Sequence, residues 1–157
     1  MTTTIAYGFA APALVHFDQL DPMGMLHNSQ YAILVERALA AWWAERGVSF
    51  ENGRPTTPDA FTAVRDFAIT YRRPVRGTGE ILVHFWVERL GETSIDYRFR
   101  VTSADGETLH ADGRRLSVHL HPITLRPVPW TDQGREVAAA LVKPEPAHPD
   151  RLTHPAW

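Results

Sequence analysis

A hydrophobic repeat of three and four residues identifies residues 29–46 as the clearest helix in the chain. Its apolar stripe consists of Tyr31, Leu34, Val35, Ala38, Leu39 and Trp42. Asn28 or Ser29 can cap the start of this helix, and Gly47 suits the left-handed residue just past its end. Trp43 lies off the stripe, so we expect other parts of the chain to cover the helix on more than one side.

After residue 60 the hydrophobic period shortens to two residues, which is typical of strands. Strands are predicted at residues 64–71, around 81–87, at 95–101 and at 109–120, after a short first strand at 13–17. Gly91-Glu92 and Asp105-Gly106 predict the hairpin turns that separate the last three strands. In the final strand the apolar positions change parity, so we expect a bulge at Gly113.

The order of these elements predicts an α+β fold in which an antiparallel sheet packs on one long helix. Such a sheet covers one side of the helix, and its exposed edges favour pairing with a second copy of the chain. The folded domain is expected over residues 1–143. A proline-rich tail follows over 144–157, where four prolines exclude a helix or a central strand.

Composition narrows the classes of function. The 157 residues carry a net charge of -2, which argues against electrostatic binding of nucleic acid or a membrane surface. The absence of cysteine excludes disulfides, thiolate metal sites and a cysteine nucleophile. The chain contains no apolar run long enough to span a bilayer, and its first residues do not resemble a signal peptide. We therefore expect a cytoplasmic protein that binds a small molecule or another protein.

The connection between the first strand and the helix concentrates polar groups. It reads Asp18-Gln19-Leu20-Asp21-Pro22-Met23-Gly24-Met25-Leu26-His27-Asn28-Ser29-Gln30-Tyr31. A helix start offers unpaired N–H groups and partial positive charge, which polarise a carbonyl oxygen. Asp21 lies just upstream, where a carboxylate can attack that carbonyl or activate a water. An aspartate before proline also commonly caps a turn, and on the residues alone both interpretations of Asp21 stay open.

These residues resemble a known family. Asp21-Pro22-Met23-Gly24, His27-Asn28-Ser29, Tyr31 and Glu36-Arg37-Ala38 are similar to the signature of hotdog-fold acyl-CoA thioesterases of the 4-hydroxybenzoyl-CoA thioesterase type. The similarity continues in Ile69-Thr70-Tyr71-Arg72-Arg73-Pro74-Val75-Arg76-Gly77 and in Ile123-Thr124-Leu125-Arg126-Pro127-Val128-Pro129. It spans about residues 12–140.

The resemblance implies a hotdog fold that hydrolyses an acyl-CoA or an acyl carrier protein thioester without a further cofactor. It implies a homodimer, or a dimer of dimers, with the active site between subunits. Asp21 matches the catalytic aspartate, as nucleophile or general base, and Asn28 matches the residue whose backbone N–H holds the thioester carbonyl. Substrate binding is expected from the matching positions Pro22, Gly24, His27, Tyr31 and Glu36.

Two positions depart from the family pattern and keep a second hypothesis open. Many members carry aspartate two residues before the catalytic one and histidine directly after the motif glycine, where this chain has Gln19 and Met25. A hotdog module that binds acyl groups or a partner without turnover is therefore the alternative. A hotdog dehydratase fits less well, because His27 is not placed as the histidine of those enzymes is.

Other candidate groups are weaker. His119 and His121 would share one strand face, but no carboxylate at ligand spacing supports a metal site, and none is expected. Glu36 is the rival catalytic carboxylate, although a glutamate in mid-helix more often pairs with an arginine. The phosphates of coenzyme A could meet Arg72, Arg73 and Arg76, or Arg114 and Arg115, and the sequence does not choose between these sets.

Overall fold

A computed structural model describes residues 4–145 of the chain. Its strands are β1 (Phe9–Val15), β2 (Phe50–Glu51), β3 (Arg54–Pro55), β4 (Thr62–Tyr71), β5 (Gly79–Leu90), β6 (Ser94–Ser103) and β7 (Leu109–His119). Its helices are α1 (Gln30–Ala44) and α2 (Asp132–Ala139). The antiparallel sheet has the order β1-β5-β6-β7-β4, and β2 pairs with β3 in a separate two-stranded sheet. The sheet packs against α1, so the predicted α+β hotdog arrangement is confirmed.

The core lies between α1 and one face of the sheet. The predicted stripe of α1 is buried throughout, and it meets the inward side chains of β5 and β6, which include Val83, Phe85, Ile95 and Phe99. Beyond the helix, Gly47 adopts a φ of 84°, as the sequence predicts. Trp43 packs on Trp130 at a ring distance of 6.3 Å, which confirms that the chain covers α1 on a second side.

Strand β4 lies at the far edge of the sheet from β5, although the two are consecutive in sequence. Residues 72–78 carry the chain across that end of the sheet, from β4 to β5. This crossing places the end of β4, the start of β5 and the loop before α1 together, through a backbone bridge between Met25 and Arg76. The end of the sheet that follows β4 is therefore the end where α1 begins.

The expected bulge at Gly113 is wrong. The β6–β7 register is continuous there, with Phe99 opposite Gly113 and Tyr97 opposite Arg115, and the irregularity in β7 lies near His110 instead. The prediction failed because it assigned the apolar side chains of β7 to the helix. The inward face carries Arg115, Ser117 and His119, all of them buried. Gly113 serves another purpose, since a Cβ there would lie 2.1 Å from the carbonyl oxygen of Ala68.

The predicted boundaries also need correction. The first strand spans Phe9–Val15 rather than residues 13–17, because its pairing with β5 begins at Phe9 opposite Phe85, while Phe17 starts a 3-10 turn. The sequence reasoning missed the small β2–β3 hairpin and α2. The proline-rich tail lies outside the described residues from position 146 onward, and its separation from the domain stays a prediction.

Candidate functional site

The loop before α1 folds back on itself around Asp21. The backbone N–H of Asp21 donates to the Met25 carbonyl at 2.7 Å, and Gly24 donates to the Asp21 carbonyl at 2.9 Å. The carboxylate oxygen Oδ1 of Asp21 accepts from the N–H groups of Met23 and Met25, at 2.8 and 3.1 Å. Gly24 turns the backbone at a φ of 73°. Asp21 therefore caps this turn with one oxygen, and within residues 4–145 its other oxygen has no donor.

Gln19 fixes the base of this loop to the helix. The residue is 6% exposed, and its side chain accepts from the His16 N–H at 2.8 Å and donates to the Gln30 side chain at 3.2 Å. The His27 N–H donates to the Gln19 carbonyl at 2.9 Å. The departure from the family pattern at this position thus has a structural explanation, because a neutral amide both donates and accepts where a carboxylate only accepts.

His27 satisfies two N–H groups at the start of α1, because its Nδ1 accepts the Ser29 N–H at 3.1 Å and its carbonyl accepts the Gln30 N–H at 2.9 Å. Ser29 occupies the capping position, but its hydroxyl contacts Nδ1 of His27 at 2.8 Å instead of the helix. Among the described residues, the backbone N–H of Asn28 meets no acceptor, while its carbonyl accepts the Tyr71 hydroxyl at 3.2 Å. The Asn28 N–H, at the electropositive end of the helix, is therefore the group available to an incoming oxygen.

Two tyrosines, Tyr31 and Tyr71, pack together at the start of α1. Tyr31 is 3% exposed, and its ring meets Tyr71 edge-on at a centroid distance of 5.1 Å. Burial raises the pKa of Tyr31, with a hydrogen bond from Val75 opposing the change. A neutral phenol therefore lies under the helix start. Asp21, Gly24, His27, Asn28 and Tyr31 come together in this region as the sequence predicts, with Pro22 exposed at the turn, and their functional roles stay predictions.

Glu36 lies further along α1, about 12 Å from Asn28 at the rise of a helix. Its carboxylate pairs with the guanidinium of Arg115 on β7. The Arg115 side chain is 9% exposed and that of Glu36 is 56% exposed, so the pair joins a buried cation to a hydrated anion. This arrangement matches the expectation that a glutamate in mid-helix pairs with an arginine.

A cavity of about 290 Å³ opens beside this ion pair, between α1 and strands β6 and β7. Its apolar wall includes Leu39, Ala40, Trp43, Val48, Phe50 and Trp130. Trp43 donates from Nε1 to the Tyr97 hydroxyl at 2.9 Å, and burial raises the pKa of that hydroxyl. The sequence reasoning missed Arg115 and Trp130 as wall residues. The strict alternation of β7 through Gly113 would have placed Arg115 inward.

The two predicted strand histidines do not form a pair. His119 is 2% exposed, and its ring nitrogens lie 3.0 and 2.9 Å from the carbonyl oxygens of Pro129 and Pro58. His121 follows the strand and accepts two backbone N–H groups of its own loop. Over residues 4–145, no group of three histidine, aspartate or glutamate side chains is placed to hold a metal ion. Nor does any helix in that range have the length and apolar character to cross a membrane.

Comparisons with known proteins agree with this architecture. A family model described as the thioesterase superfamily matches residues 23–110, more than half of the chain. A thioesterase from Thermus thermophilus, solved with coenzyme A and zinc, is 25% identical, with a TM-score of 0.70 over 88% of this chain and 96% of that one. No curated protein sequence matches the chain.

Two further structures share the fold. The PA5185 protein of Pseudomonas aeruginosa is 24% identical, with a TM-score of 0.75 over 87% of this chain and 92% of that one. A 1,4-dihydroxy-2-naphthoyl-CoA thioesterase from Synechocystis is 14% identical, with a TM-score of 0.74 over 87% and 98% of the two chains. The family match over more than half of the chain, together with these shared folds, shows that the chain belongs to the thioesterase superfamily and is a thioester hydrolase with the hotdog fold.

Proposed function

We propose that the protein hydrolyses acyl-CoA thioesters, with Asp21 as nucleophile or general base and the Asn28 N–H as the carbonyl-binding group. One observation carries the proposal. Asp21 retains an oxygen without a donor, in the loop that leads directly into the helix start where the Asn28 N–H has no acceptor, as judged over residues 4–145. The Thermus relative with bound coenzyme A supports this choice of donor.

In this mechanism the thioester oxygen accepts the Asn28 N–H, and the helix start stabilises the charge that develops on it. As a base, Asp21 takes a proton from the water that attacks the carbonyl carbon. As a nucleophile, it first forms a mixed anhydride that water then cleaves. In both cases the carbon–sulfur bond breaks, coenzyme A leaves as the thiol after taking up a proton, and the free acid remains.

The cavity next to Glu36 is proposed as the compartment for the acyl group. An apolar cavity of about 150 Å³ holds benzene, so the volume of about 290 Å³ accommodates roughly twice that number of carbon atoms. Ala40 lines the wall without filling it, and an Ala40→Leu substitution should therefore shorten the longest acyl chain that is turned over. A chain-length profile with straight-chain acyl-CoAs measures this change.

We propose that two copies pair through β4, with higher assembly of such dimers as an extension. Val64 and Tyr71 of this edge strand are 48% and 49% exposed, and most of the strand is exposed along its ten residues. A long edge with unpaired backbone groups and apolar side chains favours pairing with another strand. Light scattering coupled to size exclusion determines the mass in solution, and a monomer at micromolar concentration would contradict the pairing. The cytoplasmic location stays a prediction from the sequence.

The decisive experiment compares Asp21→Asn with Asp18→Asn. Asparagine retains the oxygen that accepts the two turn N–H groups, so Asp21→Asn preserves the loop while it removes the carboxylate. Asp18 is exposed in the same connection and serves as the matched control. Across short, aromatic and long acyl-CoAs, thiol release should fall by about 10²–10⁴ in Asp21→Asn and stay close to wild type in the control.

Three outcomes would contradict the proposal. Unchanged turnover in Asp21→Asn would move the catalytic group elsewhere, with Glu36 as the first candidate. Thermal stabilisation by acyl-CoA without any thiol release would favour the module that binds without turnover. Turnover of acyl carrier protein thioesters alone would replace coenzyme A as the donor.

A further inference from the structure

We propose that a cleft formed by residues 75–81 with Ser103 and His110 binds phosphate groups of coenzyme A, and that Arg76 and Arg73 supply the charge. This inference rests on the proposed function, because it concerns the same substrate. If Arg73 and Arg76 hold the nucleotide end of coenzyme A, their charge explains why coenzyme A is the thioester donor.

Ion pairs distinguish among the five arginines that are candidates, on the sequence alone, for binding phosphate. Arg114 contacts Asp96 at 3.0 Å and Asp66 at 3.3 Å, and its pKa is raised by that hydrogen bond and charge of Asp96. Arg115 pairs with Glu36 on the inner face of the sheet, and Arg72 contacts Asp112 at 3.2 Å. These three cations are already compensated by carboxylates.

Arg73 and Arg76 remain. Both are exposed, and no carboxylate oxygen of the described residues lies within 4.0 Å of either guanidinium. Backbone contacts fix Arg73 beside the cleft, because its carbonyl lies 3.1 Å from Nδ1 of His110 and its N–H donates to the His110 carbonyl at 3.2 Å. Arg73 and Arg76 therefore supply two guanidinium groups without a carboxylate partner from one short segment, and guanidinium groups bind phosphate oxygens through paired N–H donors.

One side of the cleft, formed by Arg76 and Thr78, carries hydrogen-bond donors that can bind an anion. Its volume is about 160 Å³, and its walls include Arg76, Thr78, Glu80, Ser103 and His110. The Ser103 hydroxyl already contacts Asp105, whereas the Thr78 hydroxyl and N–H meet no partner among residues 4–145. Glu80 is the carboxylate among the wall residues, and it lies on the β5 side, opposite Leu14 of β1.

The position of the cleft fits the length of the substrate. Arg76 pairs with Met25, and Met25 pairs with Asp21, so two strand spacings of about 4.8 Å place the Arg76 backbone roughly 10 Å from that of Asp21. The Gly77 N–H donates to the Gly24 carbonyl at 2.8 Å and holds the two segments together. The pantetheine arm of coenzyme A has about as many bonds as four extended residues, which corresponds to a length of about 14 Å. A thioester bound at Asn28 therefore brings the phosphates within reach of the arginines.

The experiment uses one acyl group on three donors: coenzyme A, 3′-dephospho-coenzyme A and N-acetylcysteamine, which has no phosphate. In Arg76→Gln, and more strongly in the Arg73→Gln/Arg76→Gln double variant, KM for the acyl-CoA should rise by about tenfold or more. The kcat value and the turnover of the N-acetylcysteamine thioester should stay unchanged. Arg54→Gln, an exposed position on the β2–β3 hairpin, is the control.

Each result decides the proposal. A penalty in Arg76→Gln that disappears with the dephospho donor assigns the 3′-phosphate, and one that persists assigns the diphosphate. Unchanged KM for acyl-CoA, or an equal loss with the N-acetylcysteamine thioester, would overturn the assignment. If no donor is hydrolysed, the proposed function fails but this inference is still tested, because free coenzyme A should raise the melting temperature of wild type and not of the double variant. Equal stabilisation of both proteins would refute it.

Discussion

The ion pair between Glu36 and Arg115 allows a quantitative test of which carboxylate is catalytic. Glu36→Gln keeps an oxygen that can accept from the guanidinium and removes only the charge. Breaking a fully buried pair costs about 3–5 kcal/mol, whereas an exposed pair contributes about 0–1 kcal/mol. Because Arg115 is 9% exposed and Glu36 is 56% exposed, we expect an intermediate loss of about 1–2 kcal/mol in the free energy of unfolding.

Urea unfolding of the wild type, Glu36→Gln, Arg115→Met and the double variant measures this loss. Arg115→Met removes the buried cation and leaves a carboxylate that water already solvates, so Glu36→Gln should cost almost nothing in that background. For a chain of this size the single variant should melt about 2–8 °C lower than the wild type. Equal stability of Glu36→Gln and the wild type would refute this account of the pair.

The same variants separate structure from catalysis. If Asp21 carries the reaction, Glu36→Gln lowers kcat far less than Asp21→Asn does, and its main effect is on stability. A stable Glu36→Gln protein that loses turnover by about 10² or more would make Glu36 the catalytic carboxylate and would refute the role given to Asp21.

Three further predictions concern the fold. Gly113→Ala should lower the free energy of unfolding by about 1–3 kcal/mol in urea titrations, because its Cβ would lie 2.1 Å from the Ala68 carbonyl oxygen, and wild-type stability would contradict the close approach. Burial, together with the charge of Arg100, lowers the pKa of His84 against the opposing effect of the Tyr7 carbonyl, so the folded state binds this proton less readily than the unfolded chain. Stability should therefore fall as the pH decreases from about 6.5 toward the folded pKa, and unfolding of His84→Gln at pH about 5 and 7.5 should show a weaker dependence. Asp59→Asn should cost about 1–3 kcal/mol in thermal unfolding, because this buried carboxylate accepts both the N–H and the hydroxyl of Thr131, and an unchanged midpoint would exclude that contribution.

Local periodicity was enough to predict the central helix and the two hairpin turns. The stripe of α1 is buried as predicted, Gly91 begins the first turn, and Gly106 adopts a φ of 79° in the second. These features depend on contacts between residues that are close in sequence. The position of β4 at the edge next to β7 depends on a crossing of the whole sheet, and the strand pattern contains no information about that crossing.

Strand β7 shows where a rule based on hydrophobicity fails. The rule assigns Leu116 and Val118 to the core, but the register gives the inner face to Arg115, Ser117 and His119. A buried guanidinium is tolerated there because Glu36 reaches it from α1, and that contact joins residues 79 positions apart. Strict alternation through Gly113 would have placed Arg115 on this face, but the partner that makes its burial tolerable lies elsewhere in the chain, so local sequence reasoning had no reason to prefer that register.

The two interpretations of Asp21 that the sequence leaves open are compatible in the structure. Oδ1 caps the turn, and the other oxygen has no donor over residues 4–145, so the turn cap leaves one oxygen available for the proposed reaction. Asp21→Asn should then lose turnover at unchanged stability, while Asp21→Ala should lose turnover and also about 1 kcal/mol of stability, because the Met23 and Met25 N–H groups lose their acceptor. Thermal unfolding and thiol release measured on both variants test this separation. If Asp21→Ala is as stable as Asp21→Asn, the turn does not depend on the side chain, and the carboxylate is held in place by the backbone hydrogen bonds to Met25 and Gly24 alone.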